Sequence, residues 1–289
     1  MADAAEPRQE RRSSVHAFER VLCAVDGTPG SFDAVKRAAA LAGPGGLLTV
    51  LLVTSYRKDG EYRSPHIGPI RAKGILDRAV AIGAEAGVEV SAEVDPAAPP
   101  AHVILEWAAD HDLLAMGAPT TRWFGGMFTG GATVAALGSL PTPLLIGRAA
   151  PADTDTDDDA RVLVASDGLQ GSDELVELAG RVARSQGAAI TLLHAVGPES
   201  GVRPQRIEEQ ARRLAAAAGV EIDLRFEVGS ARTVVLDTAR VLRASLVVIG
   251  SRRLEGVRTI GSVGRRVAHG AACSVLLVPP QPRPPVADA

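Results

Sequence analysis

The strongest constraint on the fold of this chain is that its 289 residues carry the same sequence pattern twice. Residues 21–27 read VLCAVDG, and residues 162–168 read VLVASDG, 141 positions further on. Both are apolar runs that end in Asp-Gly, and each is followed three residues later by Gly-Ser. Four more pairs of blocks keep the same order, which indicates a duplicated domain. These pairs are residues 48–53 with 190–195, 87–90 with 219–222, 112–117 with 245–250, and 143–146 with 274–278.

The repeat predicts the domain organisation. We expect a first copy at residues 18–148 and a second copy at residues 161–279. Residues 149–160 combine proline, small residues and five aspartates, so we predict an acidic linker there. Residues 1–17 are polar and predict a disordered tail, and residues 280–289 predict a proline-rich tail.

Within each copy the apolar runs are continuous, which is typical of strands covered on both faces of a parallel sheet. Helical segments separate these runs, so each copy is predicted to be β-α-β-α-β-α-β-α-β. Right-handed crossovers then give an α/β fold of two tandem, doubly wound, five-stranded parallel-sheet domains. Pro204 and Gly219 are predicted to bound one helix. The residues predicted to form buried helix faces are Phe32, Val35, Ala39 and Ala42 in the first copy, and Leu175, Val176, Leu178, Ala179, Val182 and Ala183 in the second.

Composition argues against several classes of protein. There are 31 basic and 34 acidic residues, which gives no positive excess for nucleic acid. Cys23 and Cys273 lack metal-ligand spacing and are expected to be reduced thiols. No apolar run approaches the ~20 residues that span a bilayer, and the N-terminus has no secretory pattern. We therefore expect a cytoplasmic protein that binds neither membrane nor nucleic acid.

Three motifs carry a family resemblance. They are Asp26-Gly27-Thr28 after the first strand, Gly261-Ser262-Val263 at a predicted helix start, and the last strand Cys-Ser-Val-Leu-Leu-Val-Pro at residues 273–279. Together with the repeat blocks, they make the chain resemble a tandem, two-domain member of the universal stress protein family. The resemblance implies the universal stress protein fold, also called adenine-nucleotide alpha-hydrolase-like, and a ligand at the carboxyl ends of the strands.

In ATP-binding members of that family, the loop after the fourth strand reads Gly, two residues, Gly, nine residues, then Gly-(Ser/Thr). Glycines let backbone amides approach phosphate, and the last pair opens a helix whose free N–H groups favour anions. The resemblance also implies that the aspartate after the first strand meets the ribose. The residue at the end of the second strand would flank the adenine, and Mg²⁺ would arrive with the triphosphate.

Neither copy keeps this loop pattern whole. In the first copy, Thr120 replaces the middle glycine and Gly131 removes the hydroxyl. In the second copy, Arg253 replaces the middle glycine, and the loop before Gly261 is two residues short. Arginines in that loop offer charge-assisted contacts to phosphate, so we predict the second copy to be the stronger site. These arginines are Arg252, Arg253 and Arg258.

The resemblance implies a set of nucleotide-binding residues in each copy. In the first copy they are Ala24, Val25, Asp26, Val53, Met116, Gly117, Gly130, Gly131 and Ala132. In the second copy they are Ala165, Ser166, Asp167, Ala195, Ile249, Gly250, Arg252, Arg253, Gly261, Ser262 and Val263.

Simpler interpretations of these residues remain open. Asp26 and Asp167 would then only form turns and cap helices, and the arginines would be a solvated helix face. His194 has no carboxylate partner at a motif spacing, so we expect a structural role for it.

Three functions remain open at this stage. The first is a regulatory ATP-binding stress protein, the second is a scaffold that has lost nucleotide binding, and the third is a slow ATPase. No catalytic constellation or metal-ligand cluster is visible in the sequence. The resemblance also implies that the apolar strands 144–146 and 275–278 pair within the chain, since an exposed edge would invite aggregation, whereas a homodimer and a protein partner are left open.

Overall fold

The computed structural model describes ten stretches of the chain. They are residues 16–54, 67–97, 99–118, 140–149, 160–169, 172–197, 203–250, 253–254, 257–258 and 262–279. Most of the predicted linker and tails lies outside the described residues.

The first copy contributes five strands and three described helices. They are β1 (Arg20–Val25), α1 (Pro29–Ala42), β2 (Leu47–Val53), α2 (Pro69–Glu85), β3 (Glu89–Asp95), α3 (Pro100–Ala108), β4 (Leu113–Gly117) and β5 (Leu144–Gly147). The described residues of the second copy contribute seven strands and four helices. They are β6 (Arg161–Ala165), α4 (Asp173–Gln186), β7 (Ala189–Val196), α5 (Pro204–Ala218), β8 (Ile222–Val228), α6 (Ala231–Val241), β9 (Leu246–Gly250), β10 (Arg253–Leu254), β11 (Val257–Arg258), α7 (Ser262–Gly270) and β12 (Ser274–Val278).

Each copy forms a doubly wound parallel sheet, as predicted. The strand order is β3-β2-β1-β4-β5 in the first copy and β8-β7-β6-β9-β12 in the second. All neighbours within each set pair in parallel. The chain adds strands to one side of β1 and then crosses to the other, and it does the same around β6. This reversal creates a crevice at the carboxyl ends of β1 and β4, and of β6 and β9.

The helices follow the sequence signals that predicted them. Pro204 begins α5, and Gly219 ends it with a φ of +73°, a left-handed conformation that glycine adopts without strain. The residues predicted for the buried faces of α1 and α4 are all buried. The pair β10–β11 is an antiparallel hairpin inside the predicted phosphate loop, which the sequence pattern did not predict.

The two copies join through their last strands, which confirms the predicted pairing within the chain. β5 and β12 are antiparallel, with Leu145 opposite Leu276 at the centre of three residue pairs. The result is one ten-stranded sheet. Because the joining strands run in opposite directions, the strands of the two parallel sets point in opposite directions. Their carboxyl ends therefore lie on opposite sides of the sheet along the strand direction.

Arg148, directly after β5, ties the first copy to the end of α7 in the second. Its guanidinium donates to the carbonyl oxygens of Ala268 and His269, and Nη1 donates to the Cys273 carbonyl at 3.3 Å. The last carbonyls of a helix lack partners within the helix and favour positive charge. Arg148 therefore caps the C-terminal end of α7, although it belongs to the other copy.

Replacing Arg148 with Met should lower the free energy of unfolding by about 1–2 kcal/mol, because charge-assisted bonds to carbonyl groups between the copies are lost. Urea denaturation measures this loss. Arg240→Met is the matched control, because Arg240 is 73% exposed and pairs only with Asp237 within α6. Its effect should stay within about 0.5 kcal/mol, since such surface pairs contribute little. Equal effects of the two substitutions would contradict the bridging role of Arg148.

Cys23 and Cys273 are buried free thiols, and burial raises the pKa of both. Only the thiolate reacts with disulfide reagents. We expect neither cysteine to react with such a reagent in the folded protein and both to react in denaturant. Ala40→Cys places a thiol at an exposed position of α1 and should react at once, which checks the reagent. Rapid labelling of the folded wild-type protein would be inconsistent with this packing.

Candidate functional site

The structure brings the strand-end residues of each copy together at its crevice. Ala24 on β1 is directly opposite Met116 on β4, and Ala165 on β6 is opposite Ile249 on β9. Asp26 and Asp167 follow β1 and β6, so each carboxylate lies beside the point where the strand order reverses. The two predicted sites thus have matching positions, each at the carboxyl ends of the strands of its own copy.

Small apolar side chains cover one face of the sheet at each crevice. They belong to the same packed layer, in which Ala24, Met116 and Ile249 are buried and the other members are partly buried. The partly buried members therefore expose some apolar surface near the strand ends that the aspartates follow. The residues are Ala24, Val53, Met116 and Ala118 in the first copy, and Ala165, Ala195, Ile249 and Val263 in the second. Ala118 was not among the predicted residues, although its place directly after Gly117 is the signal that could have found it.

Other predicted residues lie on the opposite face. Val25 packs with α1 and α2 in the other core layer, and Ser166 is buried beneath its loop. Only the backbones of these two residues are therefore available to a ligand in the crevice.

Glycine ends β4 and β9 for different reasons. A Cβ on Gly117 would lie 2.6 Å from the Gly30 carbonyl carbon, so the start of α1 packs directly on the end of β4. A Cβ on Gly250 would meet only the Leu175 side chain, at 3.2 Å. Packing alone thus requires glycine in the first copy but not in the second.

Asp26 forms the turn that the simpler interpretation predicted. Its Oδ1 accepts hydrogen bonds from the Thr28 backbone amide at 2.9 Å and from the Thr28 hydroxyl at 2.6 Å. Thr28 in turn accepts from the Ser31 amide and caps α1. Asp26 is only half-buried, so it forms this turn and still has exposed surface at the crevice.

Asp167 forms a similar turn in the second copy. Its Oδ1 accepts from the Leu169 amide at 3.1 Å and from the Ser172 hydroxyl at 2.7 Å. Gly168 has a φ of +74°, which suits glycine in such a loop. His194 on β7 is buried, and its Nδ1 is 3.0 Å from the Ser166 carbonyl oxygen, so the imidazole supports the backbone of this loop.

Several predicted site residues fall in the undescribed part of the chain. For Arg253 and Ser262 the structure describes the backbone alone: Arg253 pairs with Arg258 in the hairpin, and Ser262 begins α7. Among the described residues there is no group of three or more side chains suited to hold a metal ion. The same residues contain no helix long and apolar enough to cross a membrane. The predicted residues outside the description are Gly130, Gly131, Ala132, Arg252 and Gly261.

This fold and crevice are those of a known family. The model of the Universal stress protein family matches residues 17–148 and 197–279, so the chain belongs to that family. The match passes over residues 149–196, which include Asp167 and all of α4.

Individual relatives agree with this assignment. "Universal stress protein YxiE" of Bacillus subtilis is 28% identical over 145 residues, which cover 41% of this chain and 97% of that protein. A crystal structure of a universal stress protein from Archaeoglobus fulgidus has a TM-score of 0.70 at 20% identity, covering 92% of this chain and 98% of its own. A putative universal stress protein from Pseudomonas aeruginosa has a TM-score of 0.63 at 21% identity, covering 92% of this chain and 95% of its own. The two structures match the fold across both copies.

Alanine substitution should lower the stability of the protein more at Gly117 than at Gly250. Gly117→Ala forces the new methyl group against backbone and should destabilise the protein by about 1–3 kcal/mol, the usual cost of overpacking. Gly250→Ala needs only a small shift of Leu175 and should cost less than about 1 kcal/mol. Thermal and urea unfolding measure both. A larger loss for Gly250→Ala would show that the packing of α1 on β4 is not the stricter constraint.

Proposed function

We propose that this universal stress protein is a cytoplasmic regulatory protein that binds ATP, with the stronger site in the second copy. One observation carries the proposal: Ala165 and Ile249 pair at the ends of β6 and β9, where the strand order reverses just before Asp167, and they share an apolar layer with Ala195 and Val263. Open parallel sheets bind ligands at this position. The partly buried apolar side chains there would contact an adenine, and the carboxylate that follows β6 would lie near the ribose.

The residues at the crevice suggest a division of roles. The Asp167 carboxylate would accept hydrogen bonds from the ribose, and Ala195 would flank the base. Ser262 begins α7, whose free amides would favour the phosphate groups. Arg252 and Arg253 would add charge-assisted donors, and Mg²⁺ would come with the triphosphate. The first copy offers the matching residues Asp26 and Val53, but its loop has lost a glycine and a hydroxyl.

Binding, rather than catalysis, is the activity that the described side chains support. His194 is buried against the Ser166 carbonyl oxygen and a neighbouring Phe226 ring 6.1 Å away, so it is used in packing. We therefore propose that nucleotide occupancy alters the conformation or the partner choice of the protein. A scaffold without nucleotide and a slow ATPase are the two alternatives that the experiment distinguishes.

The first experiment is to denature freshly purified protein, identify any released nucleotide by chromatography, and titrate emptied protein with MgATP by calorimetry. Asp167→Asn keeps the Oδ1 acceptor of the turn but removes the charge, and it should weaken ATP binding about tenfold, the loss expected for one charge-assisted contact. Asp26→Asn should have a smaller effect on the total heat. Asp237→Asn, on the exposed surface of α6, makes the same charge change and should bind like wild type.

Two other results of these experiments would each favour one of the alternative functions. An empty protein that gives no ATP heat would favour the scaffold. Steady release of phosphate that falls in the Asp167→Asn variant would favour the ATPase.

A further inference from the structure

A buried polar cluster lies under the Asp167 loop of the second copy. Gln210, in the middle of α5, has no exposed surface. The Ser166 hydroxyl donates to Gln210 Oε1 at 2.6 Å and accepts from the Gly168 amide at 3.0 Å. The side-chain nitrogen of Gln210, Nε2, donates to the Leu169 carbonyl oxygen at 3.4 Å. One side chain of α5 therefore contacts the loop on both sides of Asp167.

The same glutamine is linked to the helix that follows the loop. Its Nε2 donates to Asp173 Oδ1, at the start of α4, at 3.1 Å. Arg206 holds both oxygens of Asp173 at 2.6–2.7 Å, and Arg213 approaches at 3.3 Å. A buried polar cluster in which every member has a partner fixes one geometry, because any other arrangement leaves a buried group unsatisfied.

The first copy solves the same packing problem without these hydrogen bonds. The repeat aligns Ser166 with Val25 and Asp173 with Phe32, and the glycine that follows each second helix aligns Gln210 with Arg78. Val25 is buried in an apolar layer, and the Arg78 guanidinium lies over the Phe32 ring at 4.2 Å. All three positions differ together, so the polar cluster is a property of the second copy alone.

We propose that Gln210 is a positioning residue for the nucleotide site of the second copy. It holds the loop through Ser166 and Leu169, so that the Asp167 carboxylate is kept in place before ligand arrives. The proposal rests on the proposed function and adds that α5 is coupled to the occupancy of this site. A preorganised loop binds more tightly because less ordering is required on binding.

Gln210→Met, which keeps the length of the side chain but removes its hydrogen bonds, tests this role. In nucleotide-free protein, hydrogen exchange at the Gly168 and Leu169 amides should become about tenfold faster, the effect of losing a buried hydrogen bond. Exchange at Val247 and Val248 in the core of β9 serves as the reference for global unfolding. Arg78→Met changes the matching residue of the first copy and should leave the loop of the second copy unaffected.

A second measurement addresses the ligand. In the Gln210→Met variant, MgATP binding should weaken about tenfold by calorimetry, whereas Arg78→Met should retain wild-type affinity at that site. If Gln210→Met fails to fold, the double variant Ser166→Val/Gln210→Met removes both buried polar ends, and the Leu169 amide is then the readout. Unchanged loop exchange, or equal acceleration by Arg78→Met, would overturn the proposal. Absence of ATP heat in wild type would reject the proposed function alone, because the exchange measurement needs no nucleotide.

Discussion

The antiparallel contact between β5 and β12 is the interaction on which the rest of the structure depends. Every residue of both strands is buried, and Leu145 and Leu276 face each other across the join. Each copy alone would expose this apolar strand as a sheet edge, a known route to aggregation. Pairing the two edges removes that hazard and turns two five-stranded sheets into one sheet of ten.

That join also determines how the two crevices are placed relative to each other. Because β5 and β12 run in opposite directions, the two crevices face opposite ways along the strand direction. Each lies at the carboxyl ends of the strands of its own copy. α1 packs closely on β4 through Gly117 and on β5 through Gly147, where a Cβ would lie 2.4 Å from the Ala34 Cα. The helix that begins beside Asp26 is therefore packed directly on the strand that joins the copies. One helix therefore contacts both the end of β4 at the first crevice and the strand that joins the copies.

Much of this architecture could be predicted because its signals are local or repeated. The apolar strand runs, the helix boundaries at Pro204 and Gly219, and the paired edge strands each depend on a short stretch of sequence or on a comparison between copies. The hairpin β10–β11 was not predicted, because two-residue strands carry no periodicity. The partnership of Ser166 and Gln210 was not predicted either. The two residues are 44 positions apart, and a glutamine in an amphipathic helix is normally expected to face solvent.

Part of the polar cluster of the second copy lies in a segment that the family model does not match. The family model follows the first copy without interruption but resumes in the second only at residue 197. The unmatched segment contains Ser166 and Asp173, two of the three positions at which the second copy has the polar cluster and the first copy does not. Ser166 and Gln210 are buried and Asp173 is half-buried, and each supplies a hydrogen-bond partner that another of the three requires. The two copies therefore have the same fold, while different contacts hold the loops that carry Asp26 and Asp167.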